Sequence, residues 1–149
     1  MFTIYSSDYL GAPSNCSYPH PFQVTDAATL ADAVKKDYVC AEYMNHYRNG
    51  ENFLGSDCLP VDCDNDHSED PADWVTPADV QNAFPGITFA IHYSRFHMRE
   101  KNGKPARPKF HVLFPIECLR WLGRRQQRER RHHPRNQLSG PVGKRLPEH

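Results

Sequence analysis

The 149-residue sequence lacks any apolar run of the roughly 18 residues that a membrane-spanning helix requires. Its first 25 residues also lack the charged-then-apolar order of a secretory signal peptide. Its five cysteines lack the paired Cys-x-x-Cys spacing of a zinc or redox motif. These absences argue against membrane insertion, secretion and a structural zinc site. We therefore expect a cytoplasmic protein with reduced thiols and no membrane partner.

Net charge is also lacking, because 18 Lys and Arg residues balance 18 Asp and Glu residues. The balance is uneven, however: residues 1–117 hold 9 basic and 16 acidic residues (net −7), whereas residues 118–149 hold 9 basic and 2 acidic residues (net +7). Hydrophobic residues make up only 38%, which predicts one domain with a modest core.

The amino-acid composition changes after residue 117. We expect a folded domain over residues 1–117 and a basic, disordered tail over residues 118–149, where arginine, histidine and proline replace apolar residues. Two interpretations of the tail stay open: translation in a shifted reading frame, or a genuine basic arm that binds nucleic acid through its phosphates.

Hydrophobic patterning predicts an α+β (mixed α/β) fold with the element order strand, helix, strand, strand, helix, strand, strand. The predicted elements are a strand over 2–5, a helix capped by Thr25 and ending near Lys36, strands over 38–43 and 59–64, a helix capped by Thr76, and strands over 87–94 and 109–116. Residues 45–56 are predicted to form a polar loop. In the last strand, Phe110, Val112 and Phe114 are predicted to face one side and Lys109, His111 and Leu113 the other.

Two aspartates end the predicted strand over 59–64. Asp62 and Asp64 are two residues apart, so they share a face of the strand. Two carboxylates that close repel each other unless a cation lies between them, and Mg²⁺ or Mn²⁺ suits such a pair. The sequence therefore predicts Asp62 and Asp64 as metal ligands for phosphoryl or nucleotidyl transfer. A solvated acidic loop is the alternative. A calcium loop is disfavoured, because His67 stands where that loop needs glycine.

A second candidate group begins the predicted strand over 109–116. Lys109 and His111 share a face of this strand, and Arg107 lies just before it. His111 is predicted to donate a hydrogen bond to a nucleotide phosphate, while Lys109 and Arg107 offset phosphate charge.

A third candidate group ends the strand over 87–94. Residues 94–111 carry six basic residues against one acid, Glu100. Ser94 and Arg95 are predicted to contact the same nucleotide, with Phe96 available for base stacking. The alternative for this basic segment is a solvated connection between two strands.

The order of these motifs resembles a known family. Val61-Asp-Cys-Asp64 is followed about 45 residues later by Arg107-Pro-Lys-Phe-His-Val-Leu-Phe-Pro-Ile116. This pair resembles the archaeo-eukaryotic primase superfamily, particularly the primase-polymerases of phages, prophages and other mobile elements. Asp62 and Asp64 match the family's Asp-x-Asp motif, and His111 matches the histidine of its second motif. The resemblance covers roughly residues 1–117.

The resemblance implies a metal-dependent nucleotidyltransferase that acts in DNA replication. Asp62, Asp64 and His111 would be its catalytic residues, and two Mg²⁺ or Mn²⁺ ions its cofactors. A nucleic acid template and nucleoside triphosphates would be its partners, with a helicase as a further one. The implied fold is part of the primase fold, an α/β unit joined to a sheet like that of an RNA-recognition motif.

One departure from the family concerns its third motif, an acidic residue on a later strand. After His111 the only acids are Glu117, Glu129 and Glu148. The sequence therefore predicts an N-terminal portion of the catalytic domain that shows little or no synthesis by itself. Two alternatives stay open: a non-catalytic nucleic-acid-binding remnant and, with less support, a metal-dependent nuclease or phosphoesterase.

Overall fold

A computed structural model describes residues 1–120, and these residues form the predicted α+β fold. The strands are β1 (Phe2–Ser6), β2 (His20–Val24), β3 (Tyr38–Val39), β4 (Glu42–Tyr43), β5 (Phe53–Cys63), β6 (Ala90–Tyr93) and β7 (Phe110–Arg120). The α-helices are α1 (Ala27–Ala33) and α2 (Pro77–Ala83), and short 3₁₀ turns occupy Met44–His46, Gly50–Asn52 and Pro71–Asp73. No helix in this part of the chain is long and apolar enough to cross a membrane. Most of the predicted tail, residues 121–149, lies outside the described residues.

The strands form two antiparallel sheets. The first has the order β2-β1-β3, and the second has the order β4-β5-β7-β6. β5 and β7 make the longest pairing, with Asp62 opposite His111 and Cys63 opposite Phe110. β6 pairs with the other edge of β7 and places His92 opposite His111.

Alternating apolar side chains of β7 belong to two separate cores, one on each face of the second sheet. Phe110 and Val112 are buried with Val80 of α2 in one core, and Phe114 packs against them. Leu113 is fully buried on the opposite face, in a core that also holds the apolar residues of β1. The two predicted faces of this strand are confirmed, since neighbouring residues of a strand point to opposite sides.

Both predicted helices form, but the first differs at its ends. α2 begins as predicted: the Thr76 hydroxyl accepts a hydrogen bond from the Asp79 amide, and the Asp79 carboxylate accepts one from the Thr76 amide. The prediction that Thr25 caps α1 is wrong: Asp26 is the cap, because Thr29 completes a capping box with it. α1 also ends at Ala33, short of Lys36.

Residues 38–63 depart most from the predicted elements. The single strand expected over 38–43 is split into β3 and β4, which belong to different sheets. The loop expected over 45–56 is also wrong in part, because β5 begins at Phe53. Pairing of this first half of β5 with β4 and with the end of β7 stabilises an extended backbone that the polar local sequence does not favour. β6 in turn begins at Ala90, three residues after the predicted start.

Asp57 of β5 joins the two sheets. Its carboxylate accepts hydrogen bonds from the Thr3 amide (2.8 Å) and from the Thr3 hydroxyl (3.0 Å) of β1. Both residues are partly buried, so these bonds to a charged acceptor are shielded from water.

We expect Asp57→Ala to lower the free energy of unfolding by about 2 kcal/mol, because it removes both acceptors at once. Thr3→Val removes only the hydroxyl donor and should cost about half as much, about 1 kcal/mol. Urea unfolding of the two variants checks this order. Equal effects would contradict this order, and an Asp57→Ala variant as stable as the wild type would show that the carboxylate does not stabilise the contact between the sheets.

Candidate functional site

A cleft of about 1220 Å³ opens between the two sheets. Tyr38 of β3 lines it from the first sheet, and His92 of β6 lines it from the second. Four of the predicted site residues also line this cleft: Asp62, Ser94, Arg95 and His111. The other three, Asp64, Arg107 and Lys109, are not among its lining residues.

Strand register brings Asp62 and His111 together. They are directly opposite in the β5–β7 pairing, and His111 Nε2 lies 3.5 Å from Asp62 Oδ1. His92 is opposite His111 on the other side of β7, and the two rings meet edge to face with centroids 5.6 Å apart. One row across three strands thus carries a carboxylate and two imidazoles on the cleft face of the sheet.

Tyr38 closes this row from the first sheet. Its hydroxyl lies 2.7 Å from His111 Nδ1 and 3.0 Å from His92 Nδ1, so it hydrogen-bonds both rings. Burial raises the pKa of the Tyr38 hydroxyl, which keeps it protonated. Burial, with a smaller effect from the nearby His111, lowers the pKa of His92 and favours its neutral form.

Asp64 and Lys109 meet one step further along the same strand pair. Lys109 Nζ lies 3.6 Å from Asp64 Oδ1 and 3.2 Å from Asp66 Oδ1, and the Lys109 side chain is only 5% exposed. The hydrogen bond from Lys109 holds the pKa of Asp66 below its ordinary value. Lys109 thus lies just before β7, and its ammonium group is engaged by aspartates at the edge of the site.

Arg107 lies behind the acidic loop (residues 64–75), and its side chain is fully buried. Its guanidinium donates to the carbonyl oxygens of Asn65 (2.9 Å) and Ser68 (3.2 Å) and to Glu69 Oε2 (2.8 Å). It also packs over the Trp74 ring, 5.6 Å from its centroid. The structure thus places Arg107 in contact with the loop backbone, away from the cleft where we predicted a phosphate contact.

Arg95 and Lys101 flank the Phe96 ring at the mouth of the cleft. The Arg95 guanidinium carbon lies 5.1 Å from the ring centroid, and Lys101 Nζ lies 4.6 Å from it. Gly11 packs directly against Arg95, and a Cβ atom at Gly11 would overlap the guanidinium. Ser94 begins the turn that follows β6, and its hydroxyl accepts a hydrogen bond from the Phe96 amide. This wall of the cleft is cationic and aromatic, as a surface that binds a nucleotide or single strand requires.

The chemistry of the carboxylates fits a hard divalent cation. The Asp62 and Asp64 side chains are 70% and 57% exposed, and their nearest basic neighbours, His111 and Lys109, lie 3.5 and 3.6 Å away, beyond close hydrogen-bond distance. Mg²⁺ is commonly held by one or two carboxylates together with substrate phosphates and water. Within residues 1–120, no three His, Cys, Asp or Glu side chains converge as a complete set of metal ligands.

Tyr38 and His92 are the two residues that sequence reasoning assigned no role. His92 gave a usable signal, because a histidine followed two residues later by Ser94 puts polar groups on one face of a predicted strand. Tyr38 gave none. It is 54 residues from His92 and 73 from His111, and only the packing of the two sheets brings them together.

The chain matches no protein-family profile, no curated protein and no solved structure. Support for a function comes from the site's own residues and their geometry.

We expect Arg107→Lys to lower the free energy of unfolding by about 3 kcal/mol. A lysine cannot reach the three acceptors with one planar group, so buried carbonyl oxygens lose their donors. Urea unfolding measures the loss, and limited proteolysis should show faster cleavage within the acidic loop. Arg99→Lys is the matched control: Arg99 is exposed, and its replacement should change stability by less than about 0.5 kcal/mol.

Stability should fall as the pH drops below about 6.5. Because the pKa of His92 is lowered in the folded protein, the unfolded chain takes up a proton at this residue first. The contribution of His92 is therefore complete above its ordinary pKa of 6.5 and is lost as the pH falls through its folded pKa. Urea unfolding between pH 7.5 and 5 should show a smaller slope for His92→Asn than for the wild type. Equal slopes would contradict this assignment.

Proposed function

We propose that residues 1–117 are the N-terminal part of a primase-polymerase catalytic domain, a metal-dependent nucleotidyltransferase that extends a strand on a nucleic acid template. The observation that carries this proposal is the position of Asp62 opposite His111 across β5 and β7. The motif pair that resembles the primase family is 49 positions apart in sequence, yet it meets at one point of one cleft. Ser94 and Arg95, predicted for the same substrate, line that cleft too.

Asp62 and Asp64 are the residues that would hold the metal. They are the exposed carboxylates at the end of β5, and their mutual repulsion is relieved when a cation binds between them. A divalent ion bound there supplies charge that offsets the triphosphate and the developing negative charge of phosphoryl transfer.

The remaining wall supplies contacts for the nucleotide. His111 presents Nε2 beside Asp62, where an N–H can donate to a phosphate oxygen. Arg95 and Lys101 bring positive charge to the cleft mouth, where both contact the Phe96 ring, and a base that stacks on this ring replaces one of the two cations. A nucleoside triphosphate thus fits with its phosphates toward Asp62 and its base toward Phe96.

Lys109 and Arg107 serve this site indirectly in the proposal. Both are engaged by the acidic loop, Lys109 through Asp64 and Asp66 and Arg107 through Glu69 and two carbonyl oxygens. They hold the loop that begins immediately after the Asp62 strand. Their direct contact with phosphates stays a prediction.

Nucleotide binding tests the proposal. We expect the full chain to bind a fluorescent ATP or dATP analogue in the presence of Mn²⁺, and Asp62→Asn to weaken this binding about tenfold or more, since it removes a metal ligand. Asp32→Asn is the control, because Asp32 is an exposed acid of α1 that pairs with Lys35 and lies outside the cleft lining. Equal affinity in the Asp62 variant and the wild type would contradict the proposal.

Template-dependent incorporation with Mg²⁺ or Mn²⁺ separates the three activities. We expect little or no synthesis from this chain, and any synthesis that occurs should disappear in Asp62→Asn. Nucleic acid binding without nucleotide binding would favour the non-catalytic remnant. Cleavage of the template strand, lost in Asp62→Asn, would favour the nuclease.

A further inference from the structure

The Tyr38 hydroxyl has one proton and faces two ring nitrogens. It lies within hydrogen-bond distance of Nδ1 of His92 and of Nδ1 of His111. A phenol donates one hydrogen bond and can also accept one. When the hydroxyl proton is used in one of these two bonds, one Nδ1 atom is the unprotonated acceptor, and the other carries a hydrogen and donates to the tyrosine oxygen.

The two bond lengths and the nearby charge of Asp62 indicate which atom donates and which accepts in each of these hydrogen bonds. O–H donors make shorter hydrogen bonds than N–H donors, and the contact to His111 is 2.7 Å whereas the contact to His92 is 3.0 Å. Asp62 lies on the far side of the His111 ring, beside Nε2, where its negative charge favours an N–H. Both facts favour Tyr38 donating to His111 Nδ1 and His92 Nδ1–H donating to Tyr38.

We propose that Tyr38 is a positioning residue that fixes the tautomer of His111, so that Nε2 of His111 carries its hydrogen toward Asp62 and the cleft. His92 acts through Tyr38, because its Nδ1–H occupies the acceptor site of the hydroxyl and directs the hydroxyl proton toward His111. The use of that Nε2–H as a donor to a nucleotide phosphate rests on the proposed function. The assignment of the His111 tautomer does not depend on the proposed function.

This arrangement supplies a hydrogen-bond donor at a fixed position, because the bond at Nδ1 determines that Nε2 of His111 carries the hydrogen. A neutral imidazole that lacks such a partner distributes its proton between both nitrogens, so its Nε2 would be an acceptor for part of the time and would repel a phosphate oxygen. Partners that fix a histidine's tautomer and ring orientation in this way are common behind functional imidazoles.

The partner also comes from a different sheet. Tyr38 is opposite Ser6 in the β1–β3 pairing, whereas both histidines belong to the second sheet. The Ser6 hydroxyl is buried and bonded to the Ala33 carbonyl, which ties β1, the neighbour of β3, to α1. The tautomer of His111 therefore depends on the packing of the two sheets against each other.

The ¹⁵N resonances of the histidine rings test this role in the full chain without any ligand. We expect His111 with Nε2 protonated and Nδ1 bare, and His92 with Nδ1 protonated. Tyr38→Phe should convert the His111 signals to those of a mixed tautomer. An unchanged His111 pattern in Tyr38→Phe, or a wild-type His111 that carries its proton on Nδ1, would overturn the proposal.

Further variants separate positioning from general damage to the fold. Tyr5→Phe removes a hydroxyl from β1 that lies outside the cleft lining, and it should leave the His111 tautomer unchanged. At position 92, His92→Asn keeps a side-chain amide near Nδ1 that can donate to Tyr38, whereas His92→Leu keeps none. The His111 pattern should survive in the asparagine variant and be lost in the leucine variant. Identical patterns in these two variants would overturn the role given to His92.

Nucleotide affinity then connects the tautomer to the proposed function. With Mn²⁺ and the ATP analogue, Tyr38→Phe should weaken binding about fivefold, the scale of one net hydrogen bond. Mn²⁺ binding alone should not change, because the metal ligands are untouched. Unchanged nucleotide affinity would overturn the phosphate-donor role of His111. Absence of nucleotide binding in the wild type would overturn the proposed function, while the ring resonances would still decide the role of Tyr38.

Discussion

The register between β5 and β7 is the constraint on which the rest of the site depends. It places Asp62 opposite His111, and the same register brings Asp64 to Lys109 at the end of the pair. A shift of one residue would turn His111 toward the apolar core under α2. Two cores prevent that shift, because Phe110 and Val112 are buried on one face and Leu113 on the other. Apolar packing thus determines where the polar groups lie.

A second constraint is electrostatic and concerns the acidic loop. Together with Asp62, which lies just before it, this loop brings five aspartates and one glutamate into residues 62–73, so the segment would repel itself if it were left unpaired. The buried Arg107 and the nearly buried Lys109 offset part of that charge and supply donors to the loop. Arg107 binds Glu69 closely, and Lys109 lies closer to Asp66 than to Asp64. The two exposed carboxylates at the end of β5 are consequently left accessible to an added cation.

Local sequence signals predicted the elements that depend on local interactions. The alternation in β7 and the Thr76 cap of α2 both follow from neighbours within four residues, and both are confirmed. The first half of β5 was missed because strand pairing, not its own polar sequence, makes it extended. The burial of Arg107 was missed for the same reason: its acceptors are 38 to 42 residues away. Strand pairing and packing between residues so far apart in sequence produce no periodic pattern in a single sequence.

The cleft brings together side chains of both charge signs. Residues 1–117 carry a net charge of −7, which by itself would repel a triphosphate or a nucleic acid strand. Yet Arg95 and Lys101 add positive charge to the lining of the same cleft, where Asp62 adds negative charge and Asp64 lies beside it. A polyanion can approach the carboxylates only if a divalent cation binds there as well. Under the proposed function, metal and nucleotide therefore bind this cleft together, each raising the affinity for the other.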